Sequence, residues 1–280
     1  MRNSRIEVKP IAGALGAEIY GADIADDLDD DVIAQIRQAL NEHCVIFFRD
    51  QHFDAEQHKA FARRFGDIFV HPNYQGMQDD DEIVMIRREP GDQHIVGEDW
   101  HADTTMMEEP PMGAILYALE VPPFGGDTLF ANQYLAYEAL SERMRAMLEG
   151  LKGVSNSAKA DVTRTREDRV KSAGTSQARE ALVAEHPVVR THPETGRKAI
   201  YLNPIRIEGI EGMAEADALA LLDELLEHAR QPAYEYRHRW LPGDLVMWDN
   251  RCLLHKANGD YDMTQVRYLY RIMLQGEVPV

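Results

Sequence analysis

Between Asp29 and Cys44 the apolar positions fall at Val32, Ile33, Ile36, Ala39 and Leu40, the three- and four-residue spacing of one face of an α-helix. The aspartates at its start suit the positive end of the helix dipole. Cys44 to Phe48, C-V-I-F-F, is a short β-prone apolar run and predicts a buried strand. Asp54 to Phe65 predicts a second helix, with Asp54 as N-cap and Gln57 completing a capping box. Ile83 to Ile86 predicts another strand. From residue 112 the pattern shifts to short strands broken by Gly and Pro: M-G-A-I-L-Y-A-L, P-P-F-G-G, D-T-L-F, then H-P-V-V-R, K-A-I-Y-L, Y-E-Y-R-H-R-W, L-V-M-W and Y-L-Y-R-I-M-L. Such repetition predicts a sandwich or barrel. Helical stretches interrupt it around Ala136 to Leu151 and Glu215 to Ala229, the latter with Leu219, Leu222 and Leu226 on one face. Ser155 to Glu180 is polar and poor in large apolar residues, so residues 155–180 read as a lid or disordered insert. The expectation is one domain over 1–280, mainly β with flanking helices.

Composition narrows the partners. With 44% hydrophobic residues in 280, the chain can bury a full core. Its 48 acidic against 30 basic residues leave a net charge of -18, which repels nucleic acid and anionic membrane surfaces. A small anion remains compatible, because a few buried arginines can set the field inside a pocket. Cys44 and Cys252 form no CxxC pattern. The N-terminus lacks an apolar signal region, and no run approaches the ~18 apolar residues of a membrane span. The expected location is the cytoplasm.

The stretch Trp100 to Thr105, W-H-A-D-T-T, carries the candidate chemistry. If it is extended, His101 and Asp103 share a face and can hold one cation. Spacing alone is weak, since 11 histidines in an aspartate-rich chain produce roughly one His-x-Asp by chance. His52-Phe53-Asp54 repeats the spacing, but there Asp54 is already used as a helix cap. A second histidine must come from a distant element, and His255 follows a turn and strand that can return to the same mouth. Two histidines and a carboxylate suit a non-haem Fe(II) oxygenase, or a hydrolytic zinc. A dicarboxylate co-substrate separates the two, because it needs a buried cation. Arg267 and Arg271, four apart in an apparent strand, point inward together if Tyr268 and Tyr270 point out. Arginine grips carboxylate bidentately, and Thr128 in G-G-D-T-L-F can add a hydroxyl.

With these residues in view, the chain resembles the taurine dioxygenase and 2,4-dichlorophenoxyacetate dioxygenase family of Fe(II)- and 2-oxoglutarate-dependent enzymes. The likeness covers nearly the whole chain through L-G-A-E-I-Y-G-A-D, W-H-A-D-T-T, E-V-P-P-F-G-G-D-T-L-F, H-P-V-V-R-T-H-P-E-T-G-R-K and W-D-N-R-C-L-L-H, in family order. It implies a double-stranded β-helix, the jelly-roll or cupin-like core. It further implies His101, Asp103 and His255 as iron ligands, Thr128 and Arg267 on the distal carboxylate of 2-oxoglutarate, and Arg271 near its iron-bound end and the substrate anion. The implied reaction takes O2, converts 2-oxoglutarate to succinate and carbon dioxide, and hydroxylates a substrate. A product hydroxylated beside an ether oxygen or sulfonate then collapses. Relatives commonly assemble as homodimers or homotetramers.

The resemblance also bears on substrate. His71 and Tyr74, in V-H-P-N-Y, match positions near which taurine-type enzymes bind the sulfonate. Those enzymes carry an asparagine ahead of the metal motif, where this chain reads I-V-G-E-D-W, which points away from taurine itself. Ile95, Val96, Met106 and Met107 flank the motif and are candidates for an apolar wall. The expected substrate is a small organic anion, an aryloxyalkanoate-like or other carboxylate. The alternatives are a taurine, alkylsulfonate or alkyl sulfate substrate, or a non-catalytic barrel that senses a metal or an acid.

Overall fold

The computed structural model describes residues 6–70, 77, 80–90, 92, 95, 97–159 and 181–280. In chain order they form β1 (Glu7–Pro10), β2 (Ala17–Tyr20), α1 (Asp30–His43), β3 (Val45–Phe48), α2 (Ala55–Arg63), β4 (Val84–Arg88), β5 (Gly113–Glu120) and β6 (Thr128–Asn132). There follow α3 (Gln133–Glu138), α4 (Glu142–Leu148), β7 (Lys152–Asn156), β8 (Val183–Pro187), β9 (Val189–Thr191), β10 (Lys198–Ile200), β11 (Ile207–Ile210) and α5 (Glu215–Ala229). A short 3-10 helix, Pro232–Tyr234, leads into β12 (Glu235–His238), β13 (Leu245–Asp249), β14 (Leu253–Ala257) and β15 (Arg267–Leu274). The protein is mainly β with few helices, and none of the described helices is long and apolar enough to cross a membrane.

A seven-stranded sheet in the order β1-β2-β3-β13-β5-β15-β4 faces a three-stranded sheet in the order β12-β6-β14. The central strands of the large sheet are apolar on both sides because both sides are covered. Ile46 and Phe48 of β3, Met247 of β13 and Ile272 of β15 pack against Ile36 and Leu40 of α1 and Phe61 of α2. The alternate residues, Val45, Phe47, Val246, Trp248, Leu269 and Met273, pack toward Phe130 of β6 and Leu253 of β14. Side chains alternate along a strand. Arg267 and Arg271 therefore leave β15 on the face of Leu269 and Met273, and Thr128 and His255 leave β6 and β14 on the faces of Phe130 and Leu253. Four of the candidate residues thus project into the layer between the sheets.

The capping box at α2 forms as the sequence predicts, with Gln57 N–H donating to Asp54 Oδ1 and Asp54 N–H to Gln57 Oε1, each at 2.9 Å. Three expectations are corrected. The single helix around Ala136 to Leu151 is two, α3 and α4, because Ser141 accepts from Met144 N–H and starts a new helix. Leu219 is exposed, and the packed face of α5 is Ala218, Leu222, Leu225, Leu226 and Ala229. The expected lid at 155–180 begins too early. Ser155 is buried in β7, which pairs with β8 and β11, while 160–180 lie outside the described residues.

Candidate active site

His101 and His255 lie directly opposite each other in an isolated antiparallel bridge. Each backbone N–H donates to the other's carbonyl at 2.9 Å, which brings their rings to a centroid separation of 4.2 Å. His101 Nδ1 sits 2.7 Å from Asp99 O. A carbonyl only accepts, so Nδ1 carries a hydrogen and donates it there, which leaves the Nε2 edge of the ring facing Asp103. Burial, then the neighbouring His101, push the His255 pKa down to about 3, so His255 stands as a neutral imidazole.

Asp103 reaches the same point by a route the extended reading missed. Only His101 bridges. The chain turns from Asp103 onward, with Thr104 in the left-handed region at φ 55. His101 Nε2 and His255 Nε2 each lie 3.8 Å from an Asp103 carboxylate oxygen, beyond hydrogen-bond length, and one donor atom from each residue falls within 4.8 Å of the others. Two imidazole nitrogens and one carboxylate around a gap of that size fit one divalent first-row cation with positions left open.

The turn is held by two buried asparagines that sequence reasoning passed over. Asn250 Oδ1 accepts from Asp103 N–H at 2.7 Å, and its Nδ2 donates to Asp103 O and Pro111 O, both at 3.0 Å. Asn203 Nδ2 donates to Ala102 O at 2.6 Å and Thr105 Oγ1 at 3.0 Å. Asn250 is itself fixed by its neighbours. Asp249 takes two bonds from the Arg251 guanidinium, at 2.9 and 2.7 Å, one from the Arg251 backbone N–H at 2.9 Å, and one from His192 at 2.9 Å. Burial alone would raise the Asp249 pKa, but Arg251 and His192 outweigh it and hold the carboxyl well below its usual range. Asp249, Asn250 and Arg251 of W-D-N-R thus brace the loop that carries Asp103. Gly97 closes the other side. It has φ +79, and a Cβ there would meet His101 Cε1 at 3.0 Å and Nε2 at 3.5 Å.

Both arginines are buried as expected, while Tyr268 and Tyr270 are half-buried. Arg271 Nη1 lies 3.5 Å from Asp103 Oδ1, so it borders the cation position. Arg267 is different. Its Nε donates to Gly126 O at 3.3 Å, and among the described residues no acidic side chain pairs with it. Burial lowers its pKa to about 10, against the opposing pull of Tyr261 and Asp127. A buried guanidinium without a carboxylate partner is costly unless something anionic arrives. Beside it, Trp240 Nε1 donates to Thr128 Oγ1 at 2.9 Å, with the indole 5.9 Å from Arg267 Cζ.

His71, Tyr74 and Val96 lie outside the described residues. Ile95 packs at Gly259, where a Cβ would meet its Cδ1 at 2.4 Å. Met106 is buried and Met107 half-buried. The decoy pair is structural, with His52 exposed beside Asp50 and Asp54 capping α2.

Residues 7–273 match the family described as Taurine catabolism dioxygenase TauD, TfdA family. An alpha-ketoglutarate-dependent sulfate ester dioxygenase of Pseudomonas putida is 36% identical, over 98% of this chain and 91% of its own. A (S)-phenoxypropionate/alpha-ketoglutarate-dioxygenase of Sphingobium herbicidovorans is 34% identical, over 97% and 95%. The crystal structure of a taurine dioxygenase from Burkholderia xenovorans superimposes with a TM-score of 0.84 at 38% identity, covering 99% of this chain and 91% of that one. The folded core, the His-Asp-His cluster and these likenesses agree, and the chain belongs to the TauD, TfdA family of dioxygenases.

Proposed function

We propose that the protein is an Fe(II)- and 2-oxoglutarate-dependent dioxygenase that hydroxylates a small organic anion, and that its two facing sheets are the double-stranded β-helix of that class. The observation that carries the reading is the convergence of His101, Asp103 and His255 within 4.8 Å in the layer that also holds Arg267. His101 and His255, each through a ring nitrogen, and Asp103 through its carboxylate would hold the iron. When bound, the iron supplies the redox chemistry that couples oxidation of 2-oxoglutarate to succinate and carbon dioxide with insertion of one oxygen atom into a substrate C–H bond.

The protein's own groups position the reactants. Arg267 and Thr128 take the distal carboxylate of 2-oxoglutarate. The two arginines share a face four residues apart, about 13 Å along the strand at ~3.3 Å per residue, so one end of that face binds the keto acid while the other borders the metal. Arg271, already beside Asp103, offers local positive charge to a substrate anion in a molecule whose net charge of -18 would otherwise repel it. A hydrolytic zinc site has no use for the acid-free Arg267, which is why the oxygenase reading is preferred.

The named relatives act on a sulfate ester and a phenoxypropionate. The substrate class proposed here is accordingly an anionic head, carboxylate or sulfate ester, on an apolar body. The test is a panel of phenoxyalkanoates, alkyl sulfates and alkylsulfonates assayed for succinate release with Fe(II) and 2-oxoglutarate. At least one anion should stimulate release well above the uncoupled rate. Activity with zinc but not iron would overturn the proposal.

A further inference from the structure

Trp240 bonds to Thr128 through its indole N–H and so sets what the Thr128 hydroxyl can do. An indole N–H is a donor only, and a hydroxyl has one hydrogen and two acceptor lone pairs. In the 2.9 Å bond between them, Thr128 must therefore accept, and its own O–H is turned elsewhere. Both residues are buried, at 3% and 5% exposure, so solvent does not compete for the arrangement. Among the described residues no acceptor takes the Thr128 O–H. The indole in turn is fixed from behind. The His238 ring meets it edge to face at 4.7 Å and 81°, and His238 is held by Tyr236 OH at 2.9 Å on Nδ1 and by Asp244 Oδ2 at 3.3 Å on Nε2. The same indole lies 5.9 Å from the Arg267 guanidinium, so one rigid ring bonds to one group of the socket and lies near the other.

We propose that Trp240 is a positioning residue that commits the Thr128 hydroxyl to donate to the distal carboxylate, and thereby builds the preference for a dicarboxylic 2-oxo acid over a monocarboxylic one. This rests on the reading above that Thr128 and Arg267 receive that carboxylate. Without the indole N–H, the hydroxyl rotates freely and can no longer be relied on as a donor at the moment the ligand arrives. The effect is confined to ligands that carry the distal group, because the metal-binding end of the acid lies elsewhere.

The experiment is an anaerobic equilibrium titration of the Fe(II)-loaded protein with 2-oxoglutarate and, separately, with 2-oxobutanoate, which lacks the distal carboxylate. Trp240→Phe keeps an aromatic ring and removes the donor. It should weaken 2-oxoglutarate about tenfold, equivalent to ~1.4 kcal/mol, while 2-oxobutanoate and Fe(II) affinity stay within about twofold, the scatter of such titrations on a ~0.4 kcal/mol scale. Thr128→Val should lose a similar factor, and the double variant should lose no more than Thr128→Val alone. Equal weakening of both acids by Trp240→Phe, or none of either, overturns the proposal. If Trp240→Phe does not fold, Thr128→Val decides: an unchanged preference for 2-oxoglutarate overturns both this inference and the socket reading. A loss with Thr128→Val but not with Trp240→Phe overturns this inference and leaves the socket standing.

Discussion

Replacing Asn250 by alanine removes three hydrogen bonds at once, those to Asp103 N–H, Asp103 O and Pro111 O. Asn250 is 1% exposed, so water does not replace it. A buried donor or acceptor left unmade costs ~1–3 kcal/mol. Local adjustment recovers part of the three lost bonds, so a total of about 3 kcal/mol is expected, a large share of the ~5–15 kcal/mol that holds a typical domain together. The loss should not be spread evenly. The bonds grip the residue that presents the carboxylate, and removing such outer-shell partners typically lowers metal affinity ~10–100-fold. Denaturant unfolding gives the first quantity and equilibrium Mn(II) titration the second. Ile36→Ala supplies the contrast. Ile36 is fully buried against α1's side of the large sheet, and truncation there should cost ~2–5 kcal/mol with little change in metal affinity. Mn(II) binding by Asn250→Ala as tight as by the unaltered protein, or an equal drop in Ile36→Ala, would refute the reasoning.

Three further outcomes are expected. Gly97→Ala places a side chain at φ +79 and 3.0 Å from His101 Cε1; it should cost about 1–2 kcal/mol of stability and weaken metal binding, both measurable in the same titrations. Arg267→Met should weaken 2-oxoglutarate binding by about 2 kcal/mol, the scale of a hydrogen bond to a charged group, and leave Mn(II) affinity unchanged by calorimetry. His58 is fully buried, neither ring nitrogen has a hydrogen-bond partner among the described residues, and burial lowers its pKa from 6.5 to about 3. Between these values the unfolded chain binds the extra proton, so stability is complete above pH 6.5 and falls as pH drops toward 3. At pH 5 the loss is about 2 kcal/mol at ~1.36 kcal/mol per unit, and unfolding of His58→Phe across pH 5 to 8 should lack that component.

The strands and the first two helices were legible because each obeys its own period. The capping box at Asp54 and Gln57 is a local device and forms as read. Where the reading slipped, a signal from outside the segment decided. Leu219 fits a helical stripe by spacing, but the packed face is turned so that Leu225 is buried and Leu219 is not, which depends on where the neighbouring sheet lies. Ser141 breaks the helix after Glu138 because a serine can cap a new start as readily as sit within a helix. In the site, the histidines and arginines were visible as chemistry, and Arg267 and Arg271 as a same-face pair. The extended geometry assumed for His101 and Asp103 was not what brings them together, since the turn at Thr104 and the clamp from Asn250 do that. Asn250, Asn203 and Trp240 act through backbone atoms or through another side chain. Their partners are 147, 101 and 112 residues away, and no local pattern marks such contacts.

The central claim is that His101, Asp103 and His255 together hold a ferrous ion. Anomalous diffraction at the iron edge, from crystals grown anaerobically with Fe(II), tests it most directly. One strong peak is expected about 2 Å from a nitrogen of each histidine and from an Asp103 oxygen, and it should vanish in Asp103→Ala. A peak ligated elsewhere, or one that persists at full height in that variant, would contradict the account.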